Sequence, residues 1–283
     1  MSISGPEIVT VEAADLVGQD LDNTVFLDVR YSAKDGSKRS EYEAGHIPGA
    51  YFAGIREDLA APASHGTGRN PLPDPQQLQE TLRKWGIDET RRVVVYGTSG
   101  SATRAWFVLR WAGLENVRFL NGGLDAWIAA GGTVTTDEPA LSASAYVVRA
   151  GALPTLTIDE AAQWAQEGRL VDVRGAATYS GEKQEEGALD PAGHIPGALN
   201  VPNTKTFASG FVLKSEQQVR DAFAEAGVDL DKPVGLYCGG GVGATTQALA
   251  LRSIGIEAPI FIGSWSAWTA DEGRPIATGS TAG

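Results

Sequence analysis

The chain has 283 residues, twice the ~150 of a typical single domain, and its 42% hydrophobic and 20% charged residues are those of a globular protein, which excludes extensive disorder. Its net charge of −12 argues against nonspecific nucleic-acid binding, which depends on neutralising phosphates. The longest uncharged stretch, 233–251, contains five glycines, and the first residues carry no basic and apolar signal, so neither a membrane span nor secretion is predicted.

Predicted strands and helices alternate along the chain. A weak helix start at Thr10 comes first, and a capping box formed by Thr157 and Glu160 opens a helix in the second half. The predicted strands are 24–28, 93–96, 117–120, 169–173, 234–237 and 259–262. Apolar residues at helical spacing predict helices at 75–85, 101–112, 215–226 and 244–254. This alternation predicts an α/β fold in which helices flank a largely parallel sheet and ligands bind beyond the carboxyl ends of the strands.

The most informative feature is self-similarity at a period of roughly 145 residues, because matched segments recur in the same order in both halves. The pairs are TVEAADL with TIDEAAQW, FLDVR (26–30) with LVDVR (170–174), GHIPGA at 45–50 and 193–198, VVVYG (93–97) with VGLYC (234–238), and GGLDAW (122–127) with GSWSAW (263–268). The repeat predicts two copies of one domain, 1–137 and 152–283, joined by a linker at 138–151.

Cys238, the only cysteine, opens a glycine-rich loop between a predicted strand and a predicted helix. The loop continues with Gly239, Gly240, Gly241, Val242, Gly243 and Ala244. Glycine accepts backbone conformations that let several N–H groups point inward, and the helix N-terminus adds partial positive charge at the same place. Such a loop would cradle an anion and stabilise a thiolate or a persulfide, Cys–S–S⁻. The pattern therefore predicts a nucleophilic cysteine.

Other interpretations of this loop stay open. A lone cysteine is often an inert buried side chain. The pattern Gly239-x-Gly241-x-x-Ala244 also satisfies the dinucleotide-binding fingerprint, although Glu257 precedes the next strand where the acidic residue should follow it. A P-loop is excluded because no Lys-Ser or Lys-Thr pair follows the glycines. The absence of arginine from 239–246 disfavours a cysteine phosphatase.

The tandem repeat, the paired GHIPGA motifs, the single cysteine before a glycine loop and the GSWSAW segment resemble a two-domain rhodanese sulfurtransferase of the thiosulfate/3-mercaptopyruvate type. The resemblance covers nearly the whole chain. It implies two tandem rhodanese-like domains, of which the first lacks the catalytic residue because Gly97 stands where the second has Cys238. It also implies that Cys238 takes sulfane sulfur from thiosulfate or 3-mercaptopyruvate, stores it as a persulfide and passes it to cyanide or a thiol. A non-catalytic sulfur carrier, sensor or scaffold built on a degenerate pair is the alternative.

The positions that bind the donor in this family match neither of its branches here. Thiosulfate-type members carry basic residues directly after the cysteine, where this chain has Gly239 and Gly240. Mercaptopyruvate-type members carry two arginines that align with Thr178 and Gly187, and a first-domain histidine that aligns with Asn70. We therefore expect low efficiency with thiosulfate and weak binding of mercaptopyruvate.

Arg174 and Lys183 are the nearest cations that could substitute, and Arg174 could instead brace the loop backbone. His46 and His194 occupy the same position in the two GHIPGA motifs, and His46 lies in the copy without a cysteine. Both histidines are therefore predicted to position turns. No metal and no cofactor are predicted. The expected partners are a small-molecule sulfur donor and a thiol or cyanide acceptor, with no nucleic acid and no membrane, in the cytoplasm.

Overall fold

The computed structural model describes residues 6–32, 34–98, 100–140, 142–184 and 190–283. Each half of the chain is built on a parallel sheet whose central strands are almost completely buried. Because helices cover both faces of such a sheet, its strands are continuous apolar runs rather than alternating ones. The predicted α/β class, with parallel sheets flanked by helices in two repeated halves, is confirmed.

The first half begins with a short edge strand and continues by strand–helix alternation. Its strands are β1 (Thr10–Val11), β2 (Thr24–Asp28), β3 (Tyr31–Ser32), β4 (Gly36–Ser37), β5 (Tyr51–Phe52), β6 (Arg92–Tyr96) and β7 (Val117–Leu120). Its helices are α1 (Arg39–Ala44), α2 (Pro75–Lys84), α3 (Ser101–Trp111) and α4 (Gly123–Ala129). The side chain of Asp74 caps α2 and Pro75 occupies its first turn, which explains the sharp start of this helix.

The second half repeats the pattern. Its strands are β8 (Thr155–Leu156), β9 (Leu170–Asp172), β10 (Leu199–Asn200), β11 (Phe207–Ala208), β12 (Val212–Leu213), β13 (Gly235–Tyr237) and β14 (Ile260–Phe261). Its helices are α5 (Ile158–Gln166), α6 (Ala176–Ser180), α7 (Glu216–Glu225), α8 (Ala244–Ser253) and α9 (Ser264–Trp268). The predicted capping box of Thr157 and Glu160 is confirmed at the start of α5.

The two main sheets have the same topology. Among the described residues, five parallel strands form each sheet, in the order β1-β7-β6-β2-β5 in the first half and β8-β14-β13-β9-β10 in the second. In both sheets, therefore, the strand that carries the Asp-Val-Arg motif at its carboxyl end lies next to the strand that precedes the glycine-containing loop. The short outer strands β1, β5, β8 and β10 escape sequence analysis because two residues show no periodicity.

The two halves share one apolar core. Helices α3 and α8, which occupy equivalent places in the repeat, pack against each other and are buried continuously over Ser101–Leu109 and Ala244–Leu251. The hydroxyl oxygen of Thr103 on α3 lies 3.0 Å from the hydroxyl oxygens of both Thr245 and Thr246 on α8. This packing places the first half directly beside the N-terminus of α8.

The predicted helix start at Thr10 is wrong. Thr10 lies in β1, and only a 3₁₀ turn, Ala13–Asp15, follows it. The Glu12 side chain makes no capping bond to this turn and instead accepts a hydrogen bond from Nδ2 of Asn121 (2.8 Å). The pairing of β1 with β7 uses the backbone that the helix would have needed.

The segment predicted as a linker, 138–151, packs back onto the first half in its described part. Tyr146 is buried and its hydroxyl donates to the carbonyl of Ala112 (2.7 Å), and the hydroxyl of Ser144 donates to the carbonyl of Ile87 (2.6 Å). The domain boundaries at 137 and 152 stay a prediction. Within the described residues, every helix is too short or too polar to cross a bilayer.

Candidate active site

Cys238 directly follows β13, at the sheet edge where ligand binding is predicted, and it is only 4% exposed. The N–H of Cys238 donates to Oγ of Ser264 (3.2 Å), and this oxygen lies 3.6 Å from Sγ. Ser264 has a φ of 54°, a left-handed conformation that Gly123 adopts at the equivalent place in the first half. A serine is strained in this conformation, so its presence beside the sulfur indicates that the site requires its hydroxyl group.

The loop at 238–243, called the cysteine loop below, has all its carbonyls turned outward. Each of them accepts a hydrogen bond from a residue outside the loop. The donors are Trp265 N–H to Cys238 (2.9 Å), Ser266 N–H to Gly239 (3.0 Å), Asn70 Nδ2 to Gly240 (2.7 Å), Arg104 Nη1 to Gly241 (2.9 Å), Thr245 Oγ1 to Val242 (2.7 Å) and Asn203 Nδ2 to Gly243 (3.0 Å). Because the C=O and N–H of a peptide point in opposite directions, this arrangement turns N–H groups inward.

The inward face of the loop meets the sulfur. Gly241 N–H donates to Sγ of Cys238 at 3.2 Å. Gly241 has a φ of +84°, and a Cβ there would lie 2.6 Å from the carbonyl oxygen of Ile262, so only glycine fits. Four further N–H groups of the loop donate to no acceptor in the described part of the chain, namely those of Gly239, Gly240, Val242 and Gly243. With the N-terminus of α8, they form a ring of donors suited to an anion.

The first half contributes directly to this ring through the segment 68–70. A Cβ at Gly68 would lie 2.3 Å from the carbonyl oxygen of Gly263, which shows how closely the two backbones approach. Asn70 donates to the carbonyl of Gly240, and that carbonyl belongs to the same peptide unit as the N–H that donates to Sγ. Hydrogen bonds in such a chain polarise one another, so Asn70 strengthens the donor that faces the sulfur.

A small pocket adjoins Gly239 beside the cysteine loop. It is lined by Arg69, Arg174, Thr178, Gln184, Asp190, Pro191, Ala192, Gly239 and Trp265. Arg69 reaches it from the first half, passes over Gly240 and forms an ion pair with Asp190. Both arginines of this pocket therefore have a carboxylate partner, because Arg174 is paired with Asp172. The pocket presents dipoles and compensated charges to a ligand.

Arg174 is buried, and its contacts recur in the first half. Its guanidinium donates to both carboxylate oxygens of Asp172 and to the carbonyl of Gly193 (2.7 Å). Arg30 makes the same contacts with Asp28 and with the carbonyl of Gly45 (2.7 Å) in the half that has no cysteine. The repetition favours a structural role in holding the GHIPGA turn. These bonds of Arg174 do not reach the cysteine loop.

The other predicted substrate contacts are not brought together. Thr178 lines the pocket. Lys183 is exposed, and it is not part of the pocket lining. Gly187, at the second position aligned with a family arginine, lies outside the described residues.

The histidines lie in equivalent structural environments. His46 stacks on Tyr42 and His194 on Tyr179, with ring centroids 3.8 Å and 3.7 Å apart. In each half a buried tyrosine on the neighbouring strand, Tyr96 or Tyr237, accepts a hydrogen bond from the backbone N–H of the residue that follows the histidine. Burial raises the pKa of Tyr237 well above its ordinary value. These contacts fit the predicted role of the histidines in positioning turns. Among the described residues, no cluster of His, Cys, Asp and Glu could hold a metal ion.

Sequence reasoning misses Arg69, Arg104 and Ser264 as neighbours of Cys238. The sequence marks Asn70 only as the residue at the family's histidine position. Ser264 offers a signal, because it lies in a repeated motif beside the cysteine strand. The arginines offer none, since their contacts join residues far apart in the chain.

A thiol that receives backbone N–H donors beside a helix N-terminus has the surroundings that favour a nucleophilic thiolate. Comparison with known proteins makes the assignment specific. The chain belongs to the rhodanese family, since the model of the Rhodanese-like domain matches residues 12–130 and again residues 157–271.

Relatives and solved structures agree with this assignment over nearly the whole chain. The chain is 38% identical to the "Putative thiosulfate sulfurtransferase SseB" of Mycobacterium tuberculosis, over 96% of this chain and 98% of that protein. It is 32% identical to the 3-mercaptopyruvate sulfurtransferase of Escherichia coli K12, over 93% of this chain and 96% of the relative. The crystal structure of SseA from Escherichia coli superposes with a TM-score of 0.80 at 29% identity, covering 92% of this chain and 100% of that one. The predicted family and the predicted enzyme class, sulfurtransferase, are confirmed.

Proposed function

We propose that this enzyme moves a sulfane sulfur from thiosulfate or 3-mercaptopyruvate, through a persulfide on Cys238, to cyanide or a thiol. The observation that carries the proposal is the cysteine loop, whose carbonyls all accept hydrogen bonds from outside the loop and whose Gly241 N–H donates to Sγ at 3.2 Å. Both donors appear in the names of relatives that match nearly the whole chain. Small molecules of this kind are the only partners that the proposal requires.

The reaction conserves electrons without any cofactor. The Cys238 thiolate attacks the outer sulfur of thiosulfate, the new S–S bond forms, and the donor's S–S bond breaks to release sulfite. With 3-mercaptopyruvate the C–S bond breaks instead, and the electron pair leaves as the enolate of pyruvate, which then takes a proton. Cyanide attacks the outer sulfur of the persulfide to form thiocyanate and return the thiolate. A thiol acceptor becomes a persulfide in the same way.

The geometry of the cysteine loop suits this cycle. Its donors are backbone dipoles, which stabilise a singly charged sulfur in either the thiolate or the persulfide form. Since the chain has one cysteine, the persulfide is not resolved as an intrachain disulfide. The sulfur must therefore pass to an external acceptor.

Donor affinity is expected to be low. Both arginines of the pocket beside Gly239 are paired with aspartates, so an incoming carboxylate or sulfonate must compete with Asp172 or Asp190 for a guanidinium. This competition raises KM more than it slows the chemical step. We expect turnover with mercaptopyruvate to be limited by binding and thiosulfate to be used inefficiently.

Intact-mass measurement and a thiocyanate assay test the proposal together. The protein is incubated with each donor, and Cys238 should gain the mass of one sulfur atom, which cyanide then removes as thiocyanate over many turnovers. The matched control is Cys238→Ser, which should gain no sulfur. A mass gain without multiple turnovers would favour the sulfur carrier. No mass gain and no thiocyanate with either donor would overturn the proposal.

A further inference from the structure

Arg69 and Arg104 contact the cysteine loop and Arg174 lines the pocket beside it, and these arginines differ in how their charge is balanced. Arg69 and Arg174 have aspartate partners. Arg104, on α3 of the first half, is fully buried and has no carboxylate partner in the described part of the chain. Isolated buried charges are costly, so a protein that keeps one here needs an anion nearby.

Main-chain carbonyls fix the position of Arg104. Nη1 donates to the carbonyl of Gly241 (2.9 Å), and Nη2 donates to the carbonyls of Leu59 (3.1 Å), Asn70 (3.1 Å) and Pro71 (2.9 Å). Its Nε is buried without a hydrogen-bond partner among the described residues. These carbonyl dipoles orient the guanidinium of Arg104 but do not neutralise its positive charge.

The buried guanidinium remains charged under working conditions. Burial lowers the pKa of Arg104 to about 10, and attraction to Cys238 opposes this lowering. At neutral pH the side chain is therefore a cation, and among the described residues Cys238 is the group whose charge acts on it. Gly241 connects the two residues, because its carbonyl accepts from Arg104 and its N–H donates to Sγ.

We propose that Arg104 is the countercharge of the sulfur anion at Cys238, so that the half without a cysteine supplies the electrostatic partner of the half that has one. Arg104 acts as a positioning residue: it orients the Gly241 carbonyl and stabilises the negative charge on the thiolate or persulfide. The persulfide part rests on the proposed function, whereas the thiolate part does not.

The remaining charged and titratable groups near Cys238 do not take this role. On the adjacent strand, Asp172 and Arg174 neutralise each other. Arg69 and Asp190 do the same at the pocket. Tyr237, which precedes the cysteine, stays neutral because burial raises its pKa well above the ordinary value.

Alkylation by iodoacetamide as a function of pH tests the proposal without any sulfur donor. Because the chain has one cysteine, label uptake reports on that side chain alone. Wild type is compared with Arg104→Gln, which keeps hydrogen-bonding capacity without charge, and with Arg104→Lys, which keeps the charge. The control Arg110→Gln removes an arginine from the same helix whose partner is Glu7. Thermal unfolding midpoints identify variants that are folded at the assay temperature.

The glutamine variant should move the rate profile to higher pH, with about a tenfold slower alkylation at neutral pH. The lysine variant should retain most of the wild-type profile, and Arg110→Gln should leave it in place. If Arg104→Gln does not fold, the lysine variant becomes the test, because it keeps the charge and loses the guanidinium that binds the carbonyls. A shifted profile in the lysine variant would then limit the role of Arg104 to the carbonyl bonds and overturn the proposal. Superimposable profiles for wild type and the glutamine variant would overturn the proposal. If the wild type produces no thiocyanate while Arg104→Gln still shifts the alkylation profile, the proposed function fails and the countercharge role of Arg104 toward the thiolate stands.

Discussion

The loop after β6 and the loop after β13 occupy equivalent places in the two sheets, yet only one has room for chemistry. The first spans residues 97–100 and the second spans 238–243, so the first is two residues shorter. A Cβ at Gly97 would lie 2.7 Å from the carbonyl oxygen of Val29 and 2.9 Å from Oγ of Ser101. The first half therefore lacks the space for a cysteine as well as the cysteine itself.

The structures around these two loops are the same. The Asp-Arg pair at the strand end, the buried tyrosine and the stacked histidine recur in both halves. These shared features hold the GHIPGA turns and carry no information about activity. The two halves differ instead in the loop length, the inward N–H groups and the residues that bind the loop carbonyls, and the proposed function assigns the catalytic capacity to these features.

The largest expected effect comes from moving the nucleophile between the two loops. Cys238→Ser should lower sulfur transfer by about a thousandfold or more, because a serine alkoxide is inaccessible at neutral pH. Adding Gly97→Cys to this variant should restore nothing, since the first loop is closed by Val29 and Ser101. Thiocyanate production measures both variants. Recovered turnover in the double variant would show that the two loops are interchangeable.

The ring of donors can be tested by comparing two glycines of the cysteine loop. Gly241→Ala should reduce kcat/KM by about a hundredfold, because the positive φ and the clash with Ile262 displace the N–H that faces the sulfur. Gly243→Ala should cost far less, since Gly243 has a φ of −64° and its Cβ would lie 3.5 Å from Cβ of Cys238, an ordinary contact. Equal losses in the two variants would contradict the role given to Gly241.

Substitutions in the pocket beside Gly239 should increase its affinity for the donor, because both of its arginines are paired with aspartates. Asp190→Asn releases Arg69 from its ion pair, so KM for mercaptopyruvate should fall by about threefold. Thr178→Arg should also lower KM, because a guanidinium in the pocket lining can hold a carboxylate bidentately. Steady-state kinetics with mercaptopyruvate and thiosulfate measure both variants. An unchanged KM in both would show that the donor binds elsewhere.

The smallest expected effect concerns a carboxyl found in one half only. Six residues after β5 stands Asp58, where the second half has Thr206 six residues after β10. Burial raises the pKa of Asp58, so the folded state holds its proton more tightly than the unfolded state does. Its stabilising contribution is thus complete below the ordinary carboxyl pKa and is lost as pH rises through the raised folded value. Urea unfolding against pH should show this slope flattened in Asp58→Asn, and an unchanged slope would contradict it.

Local sequence patterns predict the repeat, the long strands and the four longest helices to within about one residue, because buried parallel strands and capped helices leave local signatures. They also locate Cys238 and its glycines. They do not reveal Asn70 and Arg104 as donors to the loop, because these contacts join residues 170 and 137 positions apart. The pairing of Arg69 with Asp190 escapes for the same reason. The donor selectivity expected from the sequence alone therefore does not take account of Arg69 and Arg104, the charged residues that the first half contributes to the site.

The two loop carbonyls held by Asn70 and Arg104 have a consequence for biosynthesis. Domains generally fold in the order in which they are synthesised, so the first half is complete before the ribosome reaches Cys238. Cys238 is then synthesised beside a folded half that already presents two of the six groups that donate hydrogen bonds to the loop carbonyls. A chain with the halves in reverse order would complete the Cys238 thiol before these two donors existed and would leave it open to oxidation. If the proposed function holds, we expect the order of the copies, as well as their contact, to keep the Cys238 thiol from emerging before the first-half residues that support its loop.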